Sequence, residues 1–237
     1  AAVLLAACAA AQAQPPLPCS ARSGATVTPV VELYTSEGCS SCPPADRWLS
    51  RLSADSPVVA LAFHVDYWDR LGWTDRFASP AHTQRQAQQQ AVNGARFSYT
   101  PQVVLDGADR KDWPGLVPAA TARPAQVAVT LARHGAAFQA TVLPATGAPA
   151  RLAAFWAITE HGHTTPVRAG ENAGATLRHD HVVREYRPVP AWPVAPAAAA
   201  ELRFEPAFAG DPSQARHVNL VVVDALSGRP VQALKLA

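Results

Sequence analysis

Two cysteines separated by two serines, with two prolines directly behind, constrain this chain more than any other stretch: "ELYTSEGCSSCPPADRWL", Glu32 to Leu49. The run Val30 to Tyr34 is short, apolar and β-prone. After the cysteines, "PPADRWLSRLSAD" (Pro43 to Asp55) carries Ala45, Trp48, Leu49 and Leu52 at the i, i+3, i+4, i+7 spacing of an amphipathic helix. Cys39 and Cys42 therefore stand where a strand gives way to a helix N-terminus. The unpaired N–H groups and the macrodipole at such an end favour negative charge. Thiols of C-x-x-C motifs placed this way have pKa values of about 3.5 to 7, against about 8.5 for a free thiol. Cys42 is spaced to close a disulfide with Cys39, and Pro43 and Pro44 are tolerated because first-turn N–H groups have no intrahelical partner. Three readings stand: a redox dithiol, an inert structural disulfide, and a metal site. Zinc needs two further ligands at comparable spacing and no second C-x-x-C exists, while c-type haem attachment needs His where Pro43 stands.

Strand and helix patterns alternate downstream. "VVALAFHV" (Val58 to Val65) reads as a strand covered on both faces. Pro80 to Val92 is a polar, Gln-rich helix with Ser79 as N-cap and Pro80 in its first turn. "TPQVVLDG" returns to strand and a turn at Asp106-Gly107, and Trp113 to Arg123 is a short helix weakened by Pro114 and Pro118. From about Ala125 the period changes. "AQVAVTLARHGAAFQATVLP" predicts a β-hairpin turning at His134-Gly135, and strands follow at Leu152–Thr159, Val182–Arg187, Glu201–Phe204, Val218–Val223 and Val231–Leu236. Pro188 to Ala200 reads as a surface loop. Strands without intervening helices predict a small antiparallel sheet or sandwich.

"VVELYTSEGCSSCPP", the apolar strand after it and "YTPQVVLDG" together resemble the thioredoxin fold. That resemblance implies an α/β thioredoxin-like domain over 29–123 followed by an antiparallel β-rich region over 124–237. It implies a cis peptide at Thr100-Pro101 facing the cysteines, Cys39 as attacking thiolate and Cys42 as resolving thiol. Thr100 would pair with a protein or small thiol or disulfide substrate. With "FHVDYWDRLGWTDRFASP" and "GENAG", the motifs are similar to those of a family of bacterial secreted thioredoxin-like proteins of unknown function. The resemblance also implies a buried acid on the strand before the motif, and Glu32, in an otherwise apolar run, is the candidate proton acceptor for Cys42. Gly38 stands where thioredoxins carry Trp, and Ser40-Ser41 replace Gly-Pro, so the direction of electron flow is open.

His64, Asp66, Tyr67 and Trp68 follow a strand at the sheet end where open α/β sheets bind ligands, and are candidates for a substrate wall. A copper-handling set of Cys39, Cys42 and His64, like that of copper-handling thioredoxin-like proteins, is the metal alternative; a non-catalytic binding module with a locked disulfide is the other. The pairs His161-x-His163 and His179-x-His181 could each offer two side chains on one strand face, and "GENAG" (Gly170 to Gly174) reads as a structural turn. No metal site and no cofactor is assigned.

The N-terminus explains where such chemistry would run. "AAVLLAACAAAQA" (1–13) resembles the end of a secretory signal, with cleavage after Ala13 or, as a lipobox, lipidation at Cys8. A disordered leader, 14–28, follows and holds Cys19. No later apolar run reaches the ~18–20 residues of a membrane span. The expected location is periplasmic or secreted, where disulfides persist. A net charge of +2 without a basic run longer than Arg110-Lys111 leaves no electrostatic footprint for nucleic acid.

Overall fold

The computed structural model describes residues 20–119, 123–195, 197–211 and 213–237. In chain order the first part forms β1 (Ser20–Arg22), β2 (Val30–Thr35), α1 (Pro43–Ser50), β3 (Val59–His64), α2 (Pro80–Val92), β4 (Gln102–Leu105) and β5 (Ala108–Asp109). The second part is all strand: β6 (Val127–His134), β7 (Ala137–Pro144), β8 (Arg151–Glu160), β9 (His163–Pro166), β10 (Thr176–His179), β11 (Val182–Pro193), β12 (Ala200–Phe204), β13 (Arg216–Asp224) and β14 (Pro230–Leu236).

An α/β thioredoxin-like architecture is not what forms. Strands hold 42% of the described residues and helices 13%, and only two α-helices lie among them. Eight strands make one sheet in the order β14-β13-β8-β11-β3-β2-β4-β5, four make a second in the order β1-β6-β7-β12, and β9 and β10 pair by themselves. The large sheet draws strands from both sides of residue 124, with β11 and β3 meeting at Val182 and Ala62. The strands that follow α2 and β4 bury apolar surface by extending the sheet of β2 and β3, so no helical layers alternate with strands beyond that point.

The hydrophobic pattern of β2 sets both faces of this sheet. Val31 and Leu33 pack on Ala45, Trp48 and Leu49 of α1. Val30 and Tyr34 point the other way, into a core with Leu61, Phe63, Phe155 and Val221. On that second face α2 lies across the sheet, with Arg85 4.6 Å from the centre of the Phe155 ring. The four-stranded sheet covers the α1 side further along, where Val129, Leu131 and Val142 meet Trp156, Ile158 and Leu220. Every residue of β2 and β3 is buried, the polar Glu32, Thr35 and His64 included, as their mainly apolar character predicts.

Three local expectations are corrected. Residues 20–28 are not a loose leader: β1 pairs with β6, and Val27 is buried. Cys8, Cys19 and the signal-like stretch lie outside the described residues. Trp113–Gly115 is a single 3₁₀ turn, as its prolines permit. β11 continues through Pro188 and Pro190 to Pro193. It meets β3 only at Val182, so beyond that point one edge has no ladder to feed and prolines are accommodated.

Candidate functional site

β2 ends at Thr35, and the chain turns through Ser36 to Cys42 before α1 begins. Cys39 and Cys42 are joined as a disulfide with Cα atoms 5.4 Å apart, and Cys42 is the N-cap of α1. Both cysteines are fully buried, at 0% exposure, while Ser40 and Ser41 between them are exposed. Thr100 donates its hydroxyl to Cys39 Sγ at 3.4 Å, and Ser41 Oγ lies 3.4 Å from the same sulfur. Trp68 Nε1 donates to Thr100 Oγ1 at 2.8 Å, which leaves the Thr100 proton for sulfur. A Cβ at position 38 would come within 3.2 Å of Trp68 Cβ, so glycine there fits the close approach of Trp68 to the cysteine loop. The Thr100–Pro101 bond is cis.

The Gly170–Gly174 turn covers the disulfide from the opposite side. It is the tip between β9 and β10, so "GENAG" does more than reverse the chain. Asn172 Nδ2 donates to the carbonyls of Glu37 (2.8 Å) and Cys39 (3.0 Å). Glu171 Oε2 accepts from the backbone N–H of Ser40 (2.9 Å) and from its hydroxyl (2.7 Å). Side-chain donors and acceptors of this turn thus tie it to the cysteine loop at four points.

Beneath the cysteines lies a buried polar layer. His64 Nδ1 is 2.6 Å from Asp75 Oδ2, which also accepts from the Glu37 N–H. Burial works against charge on both partners. The Asp75 carboxylate overrides it and raises the His64 pKa, and the His64 charge and hydrogen bond hold Asp75 down at about 2. Burial likewise opposes ionisation of Glu37, but His179 and the Trp73 indole N–H, 2.8 Å away, keep its pKa below the usual range. His179 Nε2 sits 3.2 Å from Glu37 Oε1, off the line of a hydrogen bond. Asp46 of α1 accepts from the Thr35 hydroxyl at 3.1 Å, and burial raises its pKa against the pull of His179 and His64.

Residues 30–223 match a family model described as "Protein of unknown function (DUF1223)". The chain belongs to the DUF1223 family. Among solved structures it is similar to the crystal structure of an Agrobacterium tumefaciens protein, at 26% identity and a TM-score of 0.63, over 89% of this chain and 94% of that one. It is also similar to HBP35 of Porphyromonas gingivalis, at 15% identity and a TM-score of 0.62, over 90% of this chain and 76% of that one; at that identity the likeness concerns the fold alone. No curated protein matches it.

In this DUF1223 chain the predicted residues separate into two groups. Cys39, Cys42, Thr100, Pro101 and Trp68 come together. His64 stays one layer below, engaged with Asp75. Asp66 and Tyr67 turn toward α2 instead, through Thr83 and Gln86. Glu32 is on the wrong face of β2 for a role at Cys42. It receives Arg85 Nε and Nη2 at 2.9 and 2.8 Å, Gln89 Nε2 at 3.1 Å and the Tyr34 hydroxyl at 2.6 Å. The carboxyl on the α1 side is Asp46, and the sequence signal for it was present: in "CPPAD" it falls at i+4 from Cys42, on the same helix face. Glu37, Asp75, Glu171 and Asn172 carried no local signal. The metal alternative gains nothing here. Both sulfurs are in the disulfide, and no group of three or more His, Cys, Asp or Glu among the described residues is arranged to hold a metal ion.

Proposed function

We propose that Cys39–Cys42 is the redox disulfide of a thiol–disulfide exchange protein, reached by its partner when the Gly170–Gly174 turn is displaced. One observation carries the reading: a single disulfide receives a helix N-terminus at Cys42, the Thr100 hydroxyl on Cys39 Sγ, and a buried carboxyl of raised pKa, Asp46, one turn along the helix. In the exchange, a partner thiolate attacks Cys39 Sγ and the Cys39–Cys42 bond breaks. Cys42 leaves with the electron pair and takes a proton from Asp46. A second partner thiolate then attacks the partner sulfur of the mixed disulfide and releases Cys39 as a thiolate, which the helix end stabilises. The partner, a protein or a small thiol, loses two electrons and the protein becomes a dithiol. Run in reverse, the same steps reduce a partner disulfide. Such a bond persists outside the cytoplasm, where we place the protein.

Complete burial of both sulfurs favours a second reading, a locked disulfide in a binding module. Incubating the oxidised protein with a small dithiol in native buffer, then alkylating and weighing it, separates the two. Exchange within minutes, with Cys42→Ser trapping a mixed disulfide at Cys39, supports the redox reading. Reduction only in denaturant establishes the locked one.

A further inference from the structure

Beyond the polar layer, on the far side of Phe77 from the cysteines, a cavity of about 750 Å³ opens among Arg76, Phe77, Glu160, His163, Arg184 and Phe208. Phe77 forms its inner wall, and its ring touches those of His64 and His163 at 5.2 and 4.9 Å between centres. Arg76 and Arg184 lie over Phe77 at 4.6 and 5.0 Å, and Arg184 and Arg216 over Phe208 at 4.7 and 5.4 Å. Glu160 has no exposed surface. It accepts from Arg184 Nη1 and Arg216 Nη2, both at 3.0 Å, with His163 Nε2 3.1 Å away. Glu160 therefore holds two guanidinium groups in place while neutralising one charge. Arg76 reaches only the Thr164 carbonyl and has no carboxylate partner among the described residues. On the rim, Asp211 is occupied by the N–H and hydroxyl of Ser213. Two guanidinium groups, Arg76 and Arg184, thus line the cavity together with Glu160 and Asp211, and a third, Arg216, shares Glu160 from outside that lining.

Such crowding of like charge is unfavourable. Burial, and then the neighbouring Arg76 and Arg216 charges, lower the Arg184 pKa against the pull of Glu160. The cluster also depends on a backbone choice. Gly210 has φ +69°, and a Cβ there would overlap the Arg216 guanidinium, which would have to move aside for any larger residue. Stacked guanidinium forks with unused N–H donors are the usual means of gripping an oxyanion in two-point fashion.

We propose that this cavity binds a small molecule through a phosphate or carboxylate group, with Arg76 and Arg184 as the gripping forks and Glu160 and Gly210 fixing the positions of Arg184 and Arg216. The site is independent of the redox reading and separated from the disulfide by the Phe77–His179 layer. The test is isothermal titration of the whole chain with inorganic phosphate and with citrate, each against sodium chloride of equal ionic strength. Saturable binding with a dissociation constant at or below about 1 mM is the expected result, with Arg76→Ala weakening it about tenfold. Arg76 is exposed and makes no buried ion pair, so this variant keeps the fold, which a thermal melt verifies. Arg184→Lys keeps a charge but loses the fork, and weakens binding as well. Preference for phosphate names a phosphate ester as ligand class, and preference for citrate a polycarboxylate. Absence of saturable binding by both anions, or binding unchanged in Arg76→Ala, overturns the proposal.

Discussion

The two faces of the large sheet bury charge in different ways. On the α2 face, Glu32 is gripped by two N–H groups of Arg85, by Gln89 and by Tyr34, so every charge has its partner and only Gln89 Oε1 in this network is left without a hydrogen bond. On the α1 face, Glu37, Asp46, Asp75, His64 and His179 crowd beneath the cysteines with partners left over. Of the eight buried side-chain atoms without a hydrogen bond among the described residues, five belong to Glu37, His64, His179 and Thr165. A satisfied buried network fixes one arrangement. A partly satisfied one holds protons and charges that can be redistributed, and it stands where the reactive bond is.

The comparison is broken most forcefully on the satisfied side. Arg85→Met leaves the buried Glu32 carboxyl with no counter-ion, and should destabilise the fold by about 3–5 kcal/mol in urea titration. Its effect on exchange per folded molecule should be negligible. A loss below about 1 kcal/mol would mean the α2 face is no more tightly specified than the other. On the α1 face the expected balance is reversed. The raised Asp46 pKa means that the folded state resists its ionisation, so stability falls as pH rises from the ordinary carboxylate value through the folded one. Asp46→Asn removes that penalty while its amide oxygen still accepts from Thr35. The variant should be as stable or more stable at pH 7, yet exchange about a hundredfold more slowly, because Cys42 loses its proton donor. An unchanged rate would remove Asp46 from the chemistry.

The contrast was half visible in the sequence. Glu32 inside "VVELYT" announces a buried carboxylate, but an apolar context does not reveal which way a strand residue points. Its partner Arg85 lies in a helix that reads as polar and Gln-rich. In fact His82, Arg85, Gln86 and Gln89 form the buried side of α2. Both helices were legible from their apolar spacing, prolines and the Ser79 cap, and α1 stops at Ser50, short of the predicted Asp55. The strands β6 to β8 and β12 to β14 were legible from alternation or apolar runs. Their assembly was not, because strand order is decided by long-range pairing that no local period encodes. β9 and β10, "HTTP" and "TLRH", are too short and polar to show a period, so the turn read at "GENAG" could not be placed over the cysteines.

That turn offers a smaller test. Asn172→Ala removes two hydrogen bonds to the carbonyls of Glu37 and Cys39, each contributing about 1 kcal/mol. If the turn limits access, exchange should accelerate by up to about thirtyfold while the melting temperature falls by only a few degrees. Slower exchange would make Asn172 part of the reactive surface instead of its cover, and would move the boundary of the α1-face site outward.

Titration sharpens the comparison at the point where the faces meet. His82 of α2 lies behind β3 with Nδ1 3.0 Å from the carbonyl of His64, whose own ring points to the α1 face. Burial lowers the His82 pKa to about 4, whereas His64 is raised by Asp75 against its burial. Between pH 4 and 6.5 the unfolded chain takes up a proton that folded His82 refuses, so acidification destabilises the fold in that window. His64 has the opposite sign: its contribution is complete below pH 6.5 and is lost as pH rises through its raised folded value. Stability should therefore peak near pH 6.5. His82→Gln keeps a donor for the His64 carbonyl and should flatten only the acid limb, by up to about 1.4 kcal/mol per pH unit. The limb does not vanish, because His161 and His217, also lowered to about 4 by burial, titrate in the same window. His64→Asn should flatten only the alkaline limb. A variant that altered both limbs would show that the two histidines, one on each side of β3, titrate as a single unit, and the division between a satisfied face and a reactive one would then fail at its centre.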